Sequence, residues 1–326
     1  MAVILVATGR HLSVVDPLRG AELRAKGLGE AIPTCLALDP HLDGRAWCGT
    51  RSDGVLRSDD GGASWRPCGL EGRYVMSLTA SRAAEDLVWA GTEPSAVWRS
   101  GDGGGSWAST GDLEGLPSSP TWAFPPRPDT HHVRWIGDDP SRPDALWVAI
   151  EAGALVATDD GGQSWTDRVP DGPHDTHELA VHPQRPEHLH VAAGDGYFRS
   201  HDAGASWARP MEGLDVGYLR SVAIAPKDPD VVVVSGASGP RTAYVAGSAD
   251  GRVFRRDGSG VWMRVRAGWP ESPSTIAPLV RSGPSDGTLW AADERGVHRS
   301  EDAGRSFERV VTFSPSPTSL RGFAVG

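Results

Sequence analysis

The chain has 326 residues, 42 Asp and Glu against 32 Lys and Arg, and a net charge of −10. That acidic balance argues against a nucleic-acid-binding surface, and no apolar run reaches the length of a membrane span. The odd set of cysteines, Cys35, Cys48 and Cys68, lacks a C-x-x-C spacing, which argues against a disulfide framework or a structural zinc site. Positive charge is nearly all Arg, with Lys26 and Lys227 the exceptions, which reads as compositional bias. The first residues, MAVILVATGRHLSVVD, lack a basic leader and a small-residue cleavage site and are patterned like a strand, so a signal peptide is not expected and a cytoplasmic setting is.

In chain order, strand-like runs alternate with one recurring turn. It reads SDDGGASW from Ser58, SGDGGGSW from Ser100, TDDGGQSW from Thr158, SHDAGASW from Ser200 and SEDAGRSF from Ser300, with a worn copy, RRDGSGVW, from Arg255. Steps of roughly 40–60 residues mark a stacked or radial repeat. Glycine supplies the positive φ a tight turn needs. The Asp carboxylate accepts bonds from turn amides, and the Ser or Thr hydroxyl ties the turn across itself. Asp60, Asp102, Asp160, Asp202, Asp257 and Asp302 are therefore read as structural. The aromatic that closes each turn plugs the gap between repeats, hiding roughly 150–250 Å².

Each repeat has the same grammar: a first strand, a turn with Asp or Pro, a second strand, a third, the repeated turn, and a fourth. Six copies run from Pro33 to Val311. The stretch TSLRGFAVG at 318–326 looks like a lone first strand, and residues 2–28 look like the other three. Joined, they predict a seventh blade. The expectation is one all-β domain over 1–326, a seven-bladed β-propeller of four-stranded antiparallel blades. Pairing of the N-terminal strands with the C-terminal strand closes the ring and removes its open edge. Six blades with loose ends is the alternative.

The pattern S-x-D-x-G-x-S-W resembles the Asp-box, or BNR, repeat of sialidase-like propellers, and the whole chain resembles the glycosyl-hydrolase-like BNR-repeat proteins. The resemblance implies a fold more than an activity, because such folds host unrelated functions. In these relatives the substrate site lies on the face opposite the repeated turns. Two insertions, Leu113 to Thr130 and Ser235 to Gly251, break the period. Strand direction sends both to that opposite, upper face, where loops on a rigid scaffold carry function.

The inner strands start at the upper face with unusually polar residues: His131, His132 and Arg134, then Asp175, His177 and Glu178, then Tyr218 and Arg220, and last Arg321. Arg presents forked donors matched to carboxylate or phosphate. With Arg127 in the Pro-rich insertion, these residues suggest a pocket for a polar or anionic small molecule or a sugar. The other reading of so polar a channel is a wet one, its charges paired among themselves.

For hydrolysis, Glu151, His177 and Glu178 are the candidate catalytic groups. Glu151 sits where Glu93 and Glu294 sit in other repeats, which also fits a feature of the repeat. Arg134, Arg220 and Arg321 with Tyr218 loosely imitate the sialidase set, but the family's F-R-I-P stretch is absent. The sequence requires no cofactor and leaves room for a divalent metal on His132 and His177, with Glu151 or Asp175 as a hard ligand. The expected partner is a small-molecule or glycan ligand. A non-catalytic protein platform is the rival reading, with Trp122 and Phe124 as an exposed apolar patch or a lid. Trp47, Trp89, Trp147 and Trp290 are read as packing, Cys35 and Cys48 as buried thiols, and His182 and His201 as solvated on the lower face.

Overall fold

The repeated turn is held by one hydrogen-bond scheme. In a computed structural model describing residues 3–245, 250–269, 275–283 and 287–326, Ser58 Oγ donates to Asp60 Oδ1 at 2.8 Å and accepts from Gly62 N at 2.9 Å. Asp60 also accepts from Ser64 N at 2.9 Å and from Ser64 Oγ at 2.5 Å. The same bonds recur around Asp102, Asp160, Asp202 and Asp302. Gly61 and Gly62 take φ of 73° and 88°, the left-handed region where a side chain is strained. Asp257 differs: it pairs with Arg255 at 2.7 Å and accepts from Ser259 N at 3.0 Å.

These turns link the third and fourth strands of antiparallel sheets arranged as seven blades. Blade one is Pro33–Leu38, Ala46–Thr50, Val55–Ser58 and Arg66–Pro67. Blade seven takes Gly322–Val325 as its first strand, then Ile4–Thr8, His11–Asp16 and Ala21–Arg24. Ile4 pairs with Val325 and Val6 with Phe323, so strands from both termini close the ring as expected. In blades three and four the fourth strand shrinks to single bridges, Ala157 with Thr166 and Arg199 with Ala208. Residues 246–249 of the second insertion lie outside the described residues.

The core lies between blades. Trp65 leaves blade one to pack with Leu5 and Leu12 of blade seven, and its Nε1 donates to Gly62 O at 2.9 Å. Trp47, Trp89, Trp147 and Trp290 are all buried, as second-strand packing residues should be. Cys48 is buried and Cys35 half-buried, and all three cysteines are free thiols. His182 does not face water: it is buried, and its Nδ1 accepts from Gln184 N at 3.0 Å and Arg185 N at 2.8 Å, capping the loop after its strand. His201 is exposed, stacked on His188. Trp122 is buried against Val133 and Ile150 rather than forming an exposed patch.

One irregularity aims the inner strands at the channel. In blades one to five, the pairing of first and second strands slips by one residue, at Thr34, Met76, Arg134, His177 and Arg220. A bulge sets two residues against one and re-aims a side chain. Four of the five, all but His177, border one hollow of about 240 Å³ at the channel mouth.

Candidate functional site

Residues of both insertions stand over blades two to five. Phe124, Pro125 and Arg127 from the first and Pro240, Arg241 and Tyr244 from the second line one cavity of about 740 Å³. Pro240–Tyr244 forms a single helical turn in the second insertion. The walls include Tyr74, Phe124, Tyr218 and Tyr244, and the charged side is His132, Arg134, Glu151 and Asp175. A second hollow of about 500 Å³ at the ring closure is bordered by Arg10, His11, Glu22 and Arg24, all exposed, so it holds no buried titratable group.

Glu151 is the hub of the charged side. Its Oε2 accepts from His132 Nε2 at 2.6 Å and lies 3.4 Å from Arg134 Nε. Its Oε1 lies 3.7 Å from His177 Nε2. Burial works to raise its pKa, but the His132 hydrogen bond and the charge of Arg134 outweigh it and hold the carboxyl down at about 2. Burial likewise opposes the Arg134 charge, yet the surrounding groups, Glu151 first, together outweigh it and raise that pKa. Asp175 moves the other way: burial raises it, Glu151 adds to the rise, and His177 only partly offsets them.

His177 is buried, and its Nδ1–H donates to Leu219 O at 2.5 Å. That bond leaves Nε2 bare. It stands 3.7 Å from both Glu151 Oε1 and Asp175 Oδ1 and has no hydrogen-bond partner. Asp175 Oδ1 accepts from Ala152 N at 3.0 Å. Gly194 lies so close that a Cβ there would come within 1.9 Å of Asp175 Oδ2.

The other expected site residues divide by how their charge is used. Arg134 makes no hydrogen bond to the protein among the described residues, and its Nε is buried without a partner. Arg127 forms a forked pair with Glu93, at 2.9 and 2.5 Å, and lies over Phe124 at the rim. Arg220 borders the smaller hollow with Arg134 and Arg321, but donates to the carbonyls of Ala277 and Leu320. Arg321 is exposed. Tyr218 donates to Tyr244 at 3.2 Å and packs on His177 with ring centroids 4.7 Å apart.

His177, Arg220 and Arg321 lie outside the lining of the larger cavity, and two further expected residues face elsewhere. Glu178 follows the bulge at His177 and points between blades, bound by Arg281 at 2.7 Å and Ser221 at 2.9 Å. It is buried and does not border the cavity. His131 packs edge-on against Trp122 and also lies outside the cavity lining. His132 converges with His177 on Glu151, but as a hydrogen-bond donor to the carboxylate. The cluster with metal-ligand spacing is Glu151, Asp175 and His177, whose ligand atoms lie within 4.8 Å of one another. Sequence reasoning missed Tyr74, Glu93, Tyr244 and Gly194. Glu93 shares the turn position of Glu151, which was the available signal.

Ring and site together define a seven-bladed β-propeller with an insertion-walled cavity on its upper face. No protein-family model and no curated protein matches the chain. Among solved structures, the fold resembles a GH74 enzyme from Niastella koreensis, with a TM-score of 0.73, 14% identity, and 95% of this chain and 52% of that one covered. The chain thus spans about half that enzyme's length. It also resembles YCF48 bound to D1 peptide, with a TM-score of 0.60, 16% identity, and 95% and 83% covered. A nidogen/laminin complex aligns with a TM-score of 0.56 and 11% identity, over 100% and 98% of the two chains. At these identities the likeness shows the fold.

Proposed function

We propose that this propeller binds a polar, sugar-like or carboxylate-bearing small molecule in the 740 Å³ cavity under the two insertions. The observation that carries the reading is Arg134, a half-buried guanidinium at an aromatic-walled cavity with its hydrogen-bonding capacity unspent. Flat aromatic faces suit sugar rings, and a forked donor suits a carboxylate or vicinal hydroxyls. The fold of the GH74 enzyme supports a sugar ligand by analogy. Binding is favoured over two-carboxylate hydrolysis. Of the carboxylates expected to act as a pair, Glu151 borders the cavity, but Glu178 is bound by Arg281 and Ser221 and does not, so the two do not flank one ligand.

The test is calorimetry with a panel of neutral and carboxylated mono- and oligosaccharides. Arg134→Ala should weaken binding of the best ligand by about 1.5–3 kcal/mol, as loss of a charge-assisted hydrogen bond does. Arg220→Ala should act mainly through stability, since its donors already serve backbone carbonyls. Undiminished affinity in a folded Arg134→Ala protein would overturn the assignment. A second reading, peptide binding at the same mouth, draws support from the YCF48 fold seen with a peptide. It predicts that acidic peptides, rather than saccharides, titrate the site.

A further inference from the structure

We infer that Glu151, Asp175 and His177 form a three-ligand site for a first-row divalent cation of the Mn²⁺ or Zn²⁺ kind, bordering the ligand cavity. The inference shares that cavity with the ligand reading but does not depend on it.

The first observation is spacing. Ions of this class bind at about 2.0–2.2 Å from His nitrogen and carboxylate oxygen. Two such bonds reach donor atoms up to about 4 Å apart; His177 Nε2 stands 3.7 Å from each carboxylate, and all three donor atoms lie within 4.8 Å of one another, so a bound ion would draw the carboxylates slightly inward. The second is the orphaned nitrogen. His177 is 1% exposed, and its Nε2 has no hydrogen-bond partner while facing two acidic groups. A buried imidazole nitrogen that faces two carboxylates at 3.7 Å without a hydrogen bond to either leaves room between the three groups, which a cation would bridge.

The third observation is how the donors are held. His177 Nδ1–H is fixed by Leu219 O, Asp175 Oδ1 by Ala152 N, and Glu151 Oε2 by His132 Nε2. Each donor is thus anchored by a further hydrogen bond, the support that metal ligands ordinarily receive. Gly194 completes the cradle, because any side chain there would displace the Asp175 carboxylate.

One nitrogen and two carboxylates favour a borderline ion over a soft one, and the nitrogen disfavours Ca²⁺. Three protein ligands leave positions open, and the cavity side is where ligand oxygens would fill them. The ion would then add a second anchor beside Arg134.

The experiment titrates chelator-stripped protein with Mn²⁺, Zn²⁺ and Ca²⁺ separately, using calorimetry and elemental analysis after desalting. One equivalent of Mn²⁺ or Zn²⁺ is expected, with Ca²⁺ weaker. Asp175→Asn and His177→Gln should each weaken binding by at least about 10-fold, with folding checked by near-ultraviolet circular dichroism. Gly194→Ala, which removes no donor, should also weaken it by displacing Asp175. His201→Gln, which removes the exposed imidazole stacked on His188, should leave stoichiometry and affinity unchanged.

Absence of one-to-one binding in the wild-type protein overturns the proposal. So does binding that survives Asp175→Asn and Gly194→Ala, or that disappears with His201→Gln. Because the metal is titrated alone, a protein that binds saccharide but no metal leaves the ligand reading standing and removes only this one.

Discussion

His132 Nε2 and Glu151 Oε2 meet at 2.6 Å, joining the start of the inner strand of blade three to the turn that follows its second strand. His132 is fully buried, and its Nδ1 lies 3.4 Å from Glu93 Oε2 of blade two. One imidazole thus sits between the same turn position of two adjacent blades, hydrogen-bonded to Glu151 while its Nδ1 makes no hydrogen bond. His132→Ala strips a hydrogen bond from a half-buried carboxylate and should cost about 1–3 kcal/mol. His132→Gln should recover part of it. Urea unfolding of the three proteins measures both, and equal stability in all three would refute the tie.

The repeated turns should make the fold acid-sensitive in a defined window. Hydrogen bonds from Ser106 to Asp102, from Ser164 to Asp160 and from Ser206 to Asp202 pull each carboxyl from its ordinary value of 3.8 down to about 2. A folded value below the unfolded one means the stabilisation is full above about pH 4 and is lost as pH falls through about 2. Asp102 and Asp202 are exposed and Asp160 half-buried at the surface, so each contribution is small and salt-sensitive. Unfolding curves between pH 6 and pH 2 should show a shallower acid limb for Asp102→Asn than for the wild type. Parallel limbs would show that the turn bonds do not couple to folding.

Trp122 anchors the first insertion. Its ring packs on Val133 and Ile150, and its Nε1 donates to Ser118 Oγ at 3.0 Å. Trp122→Ala should cost about 3–5 kcal/mol, the range for emptying a buried aromatic site. Because the insertion also walls the cavity, saccharide affinity should fall with it. Chemical denaturation and calorimetry read the two effects separately.

The ring closure can be tested at Phe323, which is buried among Ile4, Val6 and Leu279. Phe323→Ala should cost about 3–5 kcal/mol. Deletion of 318–326 removes the whole inner strand of blade seven and should abolish a single cooperative transition in a thermal melt. A deletion protein that melts like the wild type would mean that the termini do not lock the ring.

The sequence by itself determined the ring. Turn chemistry is local, so Ser58, Asp60, Gly61 and Gly62 specify their own bonds within eight residues, and counting the copies and the orphan ends gives seven blades. Strand direction then placed both insertions on one face, where Pro125 and Pro240 border one cavity. The site residues were only half legible. Arg134, His132, His177 and Glu151 were readable as polar residues on inner strands and an adjoining turn. Which of them keeps an unused hydrogen-bonding atom was not, because that depends on partners such as Glu151 for Arg134 and Leu219 for His177, 17 and 42 positions away in the chain.

Glu178 and His177 show the reason most plainly. They are neighbours in sequence, yet a one-residue bulge turns His177 toward Glu151 and Asp175, while Glu178 is held between blades by Arg281. Bulges depend on how two strands register and on what the next blade presents, so no local pattern announces them. Only the tertiary structure decided which charges were neutralised by neighbours and which were left facing the cavity.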